Sequence, residues 1–484
     1  MVDSKSCTYM LSSTCLSDAL GQTPKYSLYC RLIVRMPEFN QQLPFNSYTY
    51  RLLEFLTRSA RPRPMRFFLR QIMKVHKALS IDDLRKLAKA RLPKVIFDYL
   101  EGGAEDEACL DSNAAAFARH KFIPRYLVDI SRRDQSVNLF GQTYASPFGI
   151  APTGMIAMVR PDADLMLAQA AAQADVPFVI SGASTASIEK IARVAPKSWY
   201  QHYPCRDEAM ASDLFRRVAD AGLMTLVITV DVPLHSKRER NIRSGWVRPY
   251  KPTLPVMLEA ARHPAWVIEY LTSGLPYMEN YRRYAPPGTN ARALTSFYAE
   301  QVPTAQSWKT IEQIRSEWSG TLVLKGIMHP DDAATAVAAG VDGIIVSNHG
   351  GRQLDRSIAP IDMLPDVVAA VGDRVTVMLD SGIRRGADIA TALCLGARFT
   401  FVGRAPAYGV SAGGTEGALR ALSILRQELD LVCGQLGCPR VDELNEAWLE
   451  APRANAHAPK PADAASTTPA LRTNRPTAYA TATN

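Results

Sequence analysis

The segment SNHGGRQLD, from Ser347 to Asp355, places a histidine and an arginine three positions apart. It follows an apolar run, residues 341–346, that is typical of a buried strand, so these ionisable groups stand at a strand's carboxyl end. His349 can exchange a proton near neutral pH, and Arg352 can hold a carboxylate through two parallel hydrogen bonds. The pair indicates proton abstraction from a small carboxylic acid, although an isolated pair of this kind usually decorates an ordinary loop.

Two segments that combine glycine with arginine predict a phosphate site. DSGIRRG spans Asp380 to Gly386, and GRA spans Gly403 to Ala405. Glycines let backbone N–H groups point at an anion and arginines neutralise it, at the place where α/β barrels commonly bind phosphate. Either segment alone is typical of a turn with solvated arginines, but the two together indicate a phosphate-bearing cofactor.

Three further ionisable residues follow or end apolar runs. Lys325 has apolar neighbours, and because burying an unpaired ammonium is unfavourable, we expect a cofactor that becomes anionic during turnover to supply negative charge. Asp231 could hold the ring of His349 in one tautomer and stabilise the imidazolium. Arg238 could join the first arginine on a carboxylate, or it could be a solvated member of the charge run 237–240.

The elements that must position these groups form a repeating pattern. Short β-branched runs alternate with Ala-rich helical stretches, and eight runs are predicted as strands: 147–151, 177–181, 198–203, 226–231, 322–326, 343–348, 375–380 and 399–403. Eight strands separated by helices predict a closed parallel barrel, the TIM (β/α)8 fold. Most runs end in polar or glycine residues at the carboxyl side, where such a barrel carries its active site.

A helical segment precedes the barrel. Ser80 and Asp83 form a capping-box pattern before apolar residues at helical spacing. A second helix is predicted to start after Pro93 and to end at Gly102, with Tyr99 on it.

Composition narrows the class of protein. The chain has 484 residues, 47% of them hydrophobic, and a formal net charge of +9, which fits a large folded core. Much of the basic excess lies in residues 51–74, so nucleic-acid binding is not expected and attraction to anionic lipid is a modest alternative.

No pair among the eight cysteines has C-x-x-C spacing, so no metal site is expected and a reducing compartment is favoured. No apolar stretch reaches the length of a membrane span, and we expect a cytoplasmic protein that can bind the inner face of the membrane peripherally.

The two ends of the chain fall outside the barrel pattern. Residues 1–72 show no sustained period and are predicted to form an irregular extension; Met65 and Met73 stand just before the first convincing helix, so translation could start at either. Residues 452–484 are rich in Ala, Pro, Thr and Asn and are predicted to be a disordered tail. The barrel domain is assigned to residues 73–451.

Taken together, these motifs resemble the FMN-dependent α-hydroxy acid dehydrogenases and oxidases, the family of glycolate oxidase, lactate dehydrogenases of the flavocytochrome and quinone-linked types, and mandelate dehydrogenase. The resemblance covers about residues 81–449 and is most specific in SNHGGRQLD and DSGIRRG. It implies that His349 is the catalytic base, that Asp231 is its partner, and that Lys325 stabilises reduced flavin. Substrate-binding residues implied by the resemblance are Tyr99, Tyr203, Arg238 and Arg352. The implied FMN-binding residues are Pro152, Thr153, Gly154, Ser181, Gln201, Thr229, Lys325, Ser347, Asp380, Gly382, Arg384, Gly403 and Arg404.

The resemblance also implies the reaction. It is the oxidation of an L-2-hydroxy acid to the 2-oxo acid, with electrons passed to a quinone or cytochrome-type acceptor; an O₂-using 2-hydroxy acid oxidase or lactate monooxygenase is the alternative. Gly154 and Ala183 stand where glycolate oxidases carry Ala and Trp, which leaves room for a larger substrate and is closer to L-lactate and (S)-mandelate dehydrogenases. His202 stands where an apolar residue is common. Relatives are commonly tetrameric, so a homotetramer is expected.

The connection between the fourth and fifth barrel strands, residues 232–320, is far longer than a usual barrel loop. Its segment 254–271 has dense apolar residues around Trp266. Contact with a membrane or an electron acceptor and cover of the active site are both plausible roles for this segment.

Overall fold

Eight parallel strands form the barrel in the computed structural model, which describes residues 73–246, 253–301 and 306–451. The strands of the described part are β1 (Val137–Leu139), β2 (Gln142–Tyr144), β3 (Phe148–Ile150), β4 (Val179–Ile180), β5 (Trp199–His202), β6 (Thr225–Thr229), β7 (Thr321–Ile327), β8 (Gly343–Val346), β9 (Thr376–Leu379) and β10 (Phe399–Val402). The sheet order is β3-β10-β9-β8-β7-β6-β5-β4, and a parallel bridge from Ile150 to Phe178 joins its two edges. The predicted TIM barrel and each of its eight predicted strands are confirmed.

The alternation of side chains along the strands creates the floor of the site. One apolar layer fills the barrel interior, with Val179, Trp199, Val227, Val323, Ile345, Met378 and Phe401 among its members. Because strand residues two apart point to the same side, the inward-facing residues of the next layer are Ser181, Gln201, Thr229, Lys325, Ser347, Asp380 and Gly403. A polar layer therefore lies directly on an apolar one at the carboxyl end of the barrel.

Helices surround the barrel and bury the outer face of its strands. They are α1 (Ile81–Arg91), α2 (Lys94–Glu101), α3 (Ala108–Phe117), α4 (Ala163–Gln173), α5 (Ile188–Val194), α6 (Glu208–Asp220), α7 (Glu239–Arg243), α8 (Leu254–Ala260), α9 (Pro264–Ser273), α10 (Ala291–Gln301), α11 (Trp308–Glu317), α12 (Pro330–Ala338), α13 (Pro360–Val371), α14 (Gly386–Cys394) and α15 (Arg404–Leu436). The capping box of Ser80 and Asp83 is present at the start of α1, and α2 ends at Gly102, as predicted. Within α15, Gly413 and Gly414 leave helical geometry and kink the helix.

The hairpin of β1 and β2 closes the amino end of the barrel. The Tyr144 ring lies 6.0 Å from that of Phe399, and Trp199 Nε1 donates to the Tyr144 hydroxyl at 3.3 Å. Phe140, at the turn, lies 5.7 Å from the Trp199 ring. Ligand access is therefore directed to the opposite, carboxyl end.

The predicted N-terminal extension, residues 1–72, and the predicted tail, residues 452–484, lie outside the described residues, as does Met65. Among the helices that are described, none is both long and apolar enough to cross a membrane.

Candidate active site

The centre of the site is a hydrogen bond between His349 and Asp231. His349 Nδ1 lies 2.9 Å from Asp231 Oδ1, at the carboxyl ends of β8 and β6 respectively. Because a carboxylate only accepts, the proton of the neutral ring sits on Nδ1 and the lone pair on Nε2. This is the tautomer that a general base needs. The second carboxylate oxygen of Asp231 is buried and lacks a partner within the described chain.

Burial and neighbouring charges tune this pair. Burial lowers the pKa of His349 from its ordinary value, Asp231 opposes that shift, and Lys325 and Arg238 add to it. Burial alone would raise the pKa of Asp231, but the attraction of His349 and Lys325 outweighs it and the pKa is lowered. Near neutral pH the pair is therefore a neutral imidazole held by a carboxylate.

Lys325 pairs with an acidic side chain of the protein, in contrast to the expectation from the sequence. Its ammonium lies 3.1 Å from Asp380 Oδ2 and donates to Ser347 Oγ at 2.9 Å, with 4% of the residue exposed. The missing negative charge that we attributed to a cofactor is supplied by Asp380, whose charge with that of Asp231 raises the pKa of Lys325 against burial. The sequence motif that begins at Asp380 predicted a phosphate site, but it did not predict this contact between Asp380 and Lys325.

The loop after β8 holds His349 in an uncommon backbone conformation. Its φ is 59°, in the left-handed region, which costs a non-glycine residue about 1–3 kcal/mol. Two hydroxyls support the loop: Ser347 Oγ accepts from His349 N at 3.0 Å, and Ser381 Oγ accepts from Gly350 N at 2.9 Å. Ser381 in turn donates to Asp380 at 2.9 Å, so the loop and the lysine pair are joined.

A buried amide pair that sequence reasoning missed fastens this loop to α3. Asn113 Nδ2 donates to Asn348 Oδ1 at 2.9 Å, and Asn348 Nδ2 donates to Asn113 Oδ1 at 2.7 Å. Asp355, at the end of the motif, accepts from the backbone N–H of Cys109 at 2.8 Å. The position of Asn348 directly before His349 was a usable signal, whereas Asn113 on a helix gave none.

The two predicted substrate arginines face one cavity. Arg352 donates to the carbonyls of Gly102 at 2.7 Å and Tyr99 at 3.0 Å, at the carboxyl end of α2. Its guanidinium also lies 5.5 Å from the centre of the Tyr99 ring. Arg238 donates to the Arg352 carbonyl at 3.2 Å and to Gln353 Oε1 at 3.1 Å. Backbone carbonyls therefore fix both guanidinium groups beside His349.

The cavity at the carboxyl end of the barrel measures about 420 Å³. Most predicted site residues line it: Tyr99, Pro152, Thr153, Gly154, Ser181, Tyr203, Thr229, Arg238, Lys325, His349, Arg352, Asp380, Gly382, Arg384, Gly403 and Arg404. The other three are not part of this lining but adjoin it: Asp231 bonds His349, Ser347 bonds Lys325, and Gln201, whose Oε1 accepts from Gly182 N at 3.0 Å, lies in the same inward layer as Thr229 and Lys325. The structure therefore brings all the predicted residues together; their individual roles remain predictions.

The polar atoms of the cavity fit FMN. Gln201 Nε2 and Thr229 Oγ1 are buried without a partner in the described chain, in the layer that also carries Lys325, and a flavin ring has the polar edge to satisfy them. Burial and repulsion from Arg384 lower the pKa of Arg404 to about 10. Two neighbouring guanidinium groups are a suitable site for a phosphate dianion.

The structure shows where two departures from the family pattern lie. A methyl group on Gly154 would approach Ala183 Cβ to 2.9 Å, so the small residues at these two positions touch each other in the cavity wall. His202 does not line the cavity; it packs outward with its ring 5.1 Å from Phe215 on α6. Burial lowers the pKa of His202 to about 3, so it stays neutral.

Comparisons with known proteins agree with this geometry. The family model for FMN-dependent dehydrogenases matches residues 88–451. The (S)-mandelate dehydrogenase of Pseudomonas putida is 37% identical over 372 residues, 77% of this chain and 93% of that protein. A putative L-lactate dehydrogenase of Mycobacterium tuberculosis is 40% identical over 370 residues, 76% of this chain and 88% of that protein. An L-lactate oxidase of Nostoc sp. is 36% identical over 378 residues, 77% of this chain and 98% of that protein.

A solved structure has the same fold. It is that of a monotopic membrane protein, an (S)-mandelate dehydrogenase, with a TM-score of 0.75 and 37% identity. The match covers 77% of this chain and 99% of the other.

Removal of the hydrogen bonds between Asn113 and Asn348 should slow flavin reduction. Asn113→Ala leaves the buried Asn348 amide without its partner, so the loop that carries His349 should loosen while FMN stays bound. We expect the rate of flavin reduction by substrate to fall about tenfold to a hundredfold, since small displacements of a catalytic group have effects of that size. Stopped-flow absorbance of the bound flavin measures it.

The matched control is Asn280→Ala. The Asn280 amide is equally buried but holds Ile188 N at 3.0 Å, away from the His349 loop. It should reduce the free energy of unfolding by a similar amount without the same loss of rate. Equal loss of rate in both variants would show that Asn113 has no positioning role.

Proposed function

Because the chain belongs to the FMN-dependent dehydrogenase family, whose members act on 2-hydroxy acids, we propose that it oxidises an L-2-hydroxy acid of the lactate or (S)-mandelate class. The observation that carries the proposal is the hydrogen bond of His349 to Asp231 beside two arginines in one cavity. A base and a carboxylate clamp at one place serve an acid that must lose a proton.

In this proposal the chain's own residues bind the substrate and take its proton. Arg238 and Arg352 hold the carboxylate, which fixes the carbinol carbon in reacting geometry. His349 Nε2 accepts one proton, from the carbinol carbon or from the hydroxyl, and Asp231 stabilises the resulting imidazolium. When bound, FMN would supply the acceptor for the two electrons and the remaining proton that the 2-hydroxy acid loses on conversion to the 2-oxo acid. Lys325 places a positive charge next to the flavin site and so favours the reduced, more anionic state.

The electron acceptor in this proposal is a quinone, which takes both electrons in a second half-reaction, or a cytochrome, whose haem takes them one at a time. The likeness to (S)-mandelate and L-lactate dehydrogenases supports a dehydrogenase. The likeness to L-lactate oxidase keeps O₂ as the second candidate. Hydrogen peroxide formed in step with substrate loss would favour the oxidase. A homotetramer is proposed by family likeness and is checked by light scattering.

We also propose that α8 and α9 contact a membrane surface. Leu254, Met257, Leu258, Ile268 and Leu271 are each at least 50% exposed on these two helices, and exposed apolar groups of this extent commonly mark an interaction site. Trp266 Nε1 donates to the Met158 carbonyl at 3.0 Å, and Glu269 pairs with Arg91 and Arg160, so the helices are fastened to the barrel. A relative of the same fold is a monotopic membrane protein.

The base assignment predicts the outcome of His349→Gln. The purified wild-type protein should be yellow and should bleach anaerobically with L-lactate or (S)-mandelate. The variant should keep FMN and reduce it roughly a thousandfold more slowly, since a positioned base contributes rate factors of that order. Near-normal flavin reduction in the variant would rule out His349 as the base.

The histidine pair predicts a shift of the pH profile. Neutral His349 is the active form, so kcat/KM falls on the acid side as pH drops through its pKa, which burial holds below the ordinary value. Asp231 raises that pKa, so Asp231→Asn should move the acid limb to lower pH while the maximum rate falls about tenfold or more. An acid limb that stays in place or moves to higher pH would contradict the assigned partnership.

The membrane proposal predicts that Leu258→Gln with Leu271→Gln lowers binding to lipid vesicles several-fold, because two exposed apolar contacts are lost. Co-sedimentation with vesicles of bacterial polar lipid measures it. Leu431→Gln on α15 is the control, since Leu431 is 64% exposed and Leu258 63%. Equal binding by the double variant and the control would contradict a membrane contact here.

A further inference from the structure

The cavity carries more positive charge than the proposed ligands neutralise. Among the described side chains that line it, the charged ones other than histidine are Arg238, Arg292, Lys325, Arg352, Arg384, Arg404 and Asp380. Asp380 pairs with Lys325 at 3.1 Å, so these two charges cancel and the positive charges of the arginines remain. A phosphate brings about two negative charges and the substrate carboxylate brings one. The arginines therefore outnumber these charges, and the surplus favours a further anion.

Arg292 is the arginine that the proposed function leaves without a task. The other four are half-buried and each donates to a backbone carbonyl that fixes its position; these are Arg238, Arg352, Arg384 and Arg404. Arg292 is exposed and has no hydrogen bond or ion pair with the residues that the structure describes. Its guanidinium is therefore available to a ligand at the cavity mouth.

Arg292 belongs to a stripe of α10 that faces the cavity. Arg292, Thr295 and Tyr298 recur every three residues and all line the cavity. A methyl group on Gly182 would lie 3.6 Å from Tyr298 Oη and 3.7 Å from Tyr203 Cδ2, so Tyr298 lies beside the proposed substrate tyrosine. Arg292 is six residues before Tyr298, which is about 9 Å along the helix axis. The stripe thus leads from the substrate position toward the mouth.

We propose that Arg292 binds a second anionic group of the substrate, so that the protein, in addition to acids of the lactate and (S)-mandelate class, accepts 2-hydroxy acids with a terminal carboxylate and prefers each of them over its neutral isostere. The inference rests on the proposed function, because Arg238 and Arg352 hold the first carboxylate. The side chain extends past the small residues Gly154 and Ala183 and past the Thr295 hydroxyl, and its terminal carboxylate pairs with Arg292.

The test compares each diacid with its neutral isostere. L-malate and L-2-hydroxyglutarate are assayed against the corresponding terminal amides by anaerobic flavin reduction of the FMN-loaded protein. The wild-type protein should prefer at least one diacid over its amide roughly tenfold in kcat/KM, as for one charge-assisted hydrogen bond. Because Arg292 is exposed, salt screens its charge. The ratio should therefore shrink as NaCl is raised from 0.02 M to about 0.5 M, since the Debye length decreases over this range.

The variants separate Arg292 from general charge. Arg292→Gln should bring the ratio of diacid to amide close to one, and Arg292→Lys should restore part of it. Arg282→Gln removes an exposed arginine of the same connection that does not line the cavity, and it should leave the ratio as in the wild type.

The possible outcomes distinguish the two proposals. Equal use of diacids and amides by the wild type, or a ratio that Arg292→Gln does not change, overturns the role of Arg292. Flavin that no 2-hydroxy acid reduces, L-lactate and (S)-mandelate included, overturns the proposed function instead.

Discussion

The hydrogen bond between His349 and Asp231 connects strands that are not neighbours in the barrel. Asp231 follows β6, His349 follows β8, and β7 lies between them with Lys325 near its end. The bond is possible because Gly326 follows Lys325: a methyl group there would lie 2.6 Å from Asp231 Cβ, and the φ of Gly326 is +105°. Only glycine tolerates both the space and the conformation. The position of the candidate base therefore depends on a strand that does not carry it.

The charges around this bond are arranged in two groups. Lys325, Asp380 and Ser347 form a buried, hydrogen-bonded set at the floor of the cavity. The arginines face the opening, where carbonyl groups of α2 and of the loop after β8 hold them. Such carbonyls at a helix end lack partners within the helix and can accept hydrogen bonds from side chains. The helical segment before the barrel therefore contributes hydrogen-bond acceptors to the site and also packs on the core. A site of this charge recruits anions and places them next to a neutral base.

Much of the fold and of the site follows from the sequence. The eight strands were predictable because β-branched runs end in glycine or polar residues, and period-two alternation then places Ser181, Gln201 and Thr229 in one inward layer. The same alternation puts His202 on the outer face, a conclusion the sequence alone permitted. The pairing of Lys325 with Asp380 was not predictable, since it depends on the geometry of two strands separated by a third. Asn113 could not be recognised, because a polar residue on a helix gives no local sign of a distant partner.

The most direct test of this site is a crystal structure of the purified FMN-loaded protein with a slowly reacting 2-hydroxy acid or its 2-oxo product bound. We predict that the flavin ring lies over Gln201, Thr229 and Lys325 and its phosphate at Arg384 and Arg404. The ligand carboxylate should lie within hydrogen-bond distance of both Arg238 and Arg352. A ligand bound away from His349, or a protein that does not take up FMN, would contradict it.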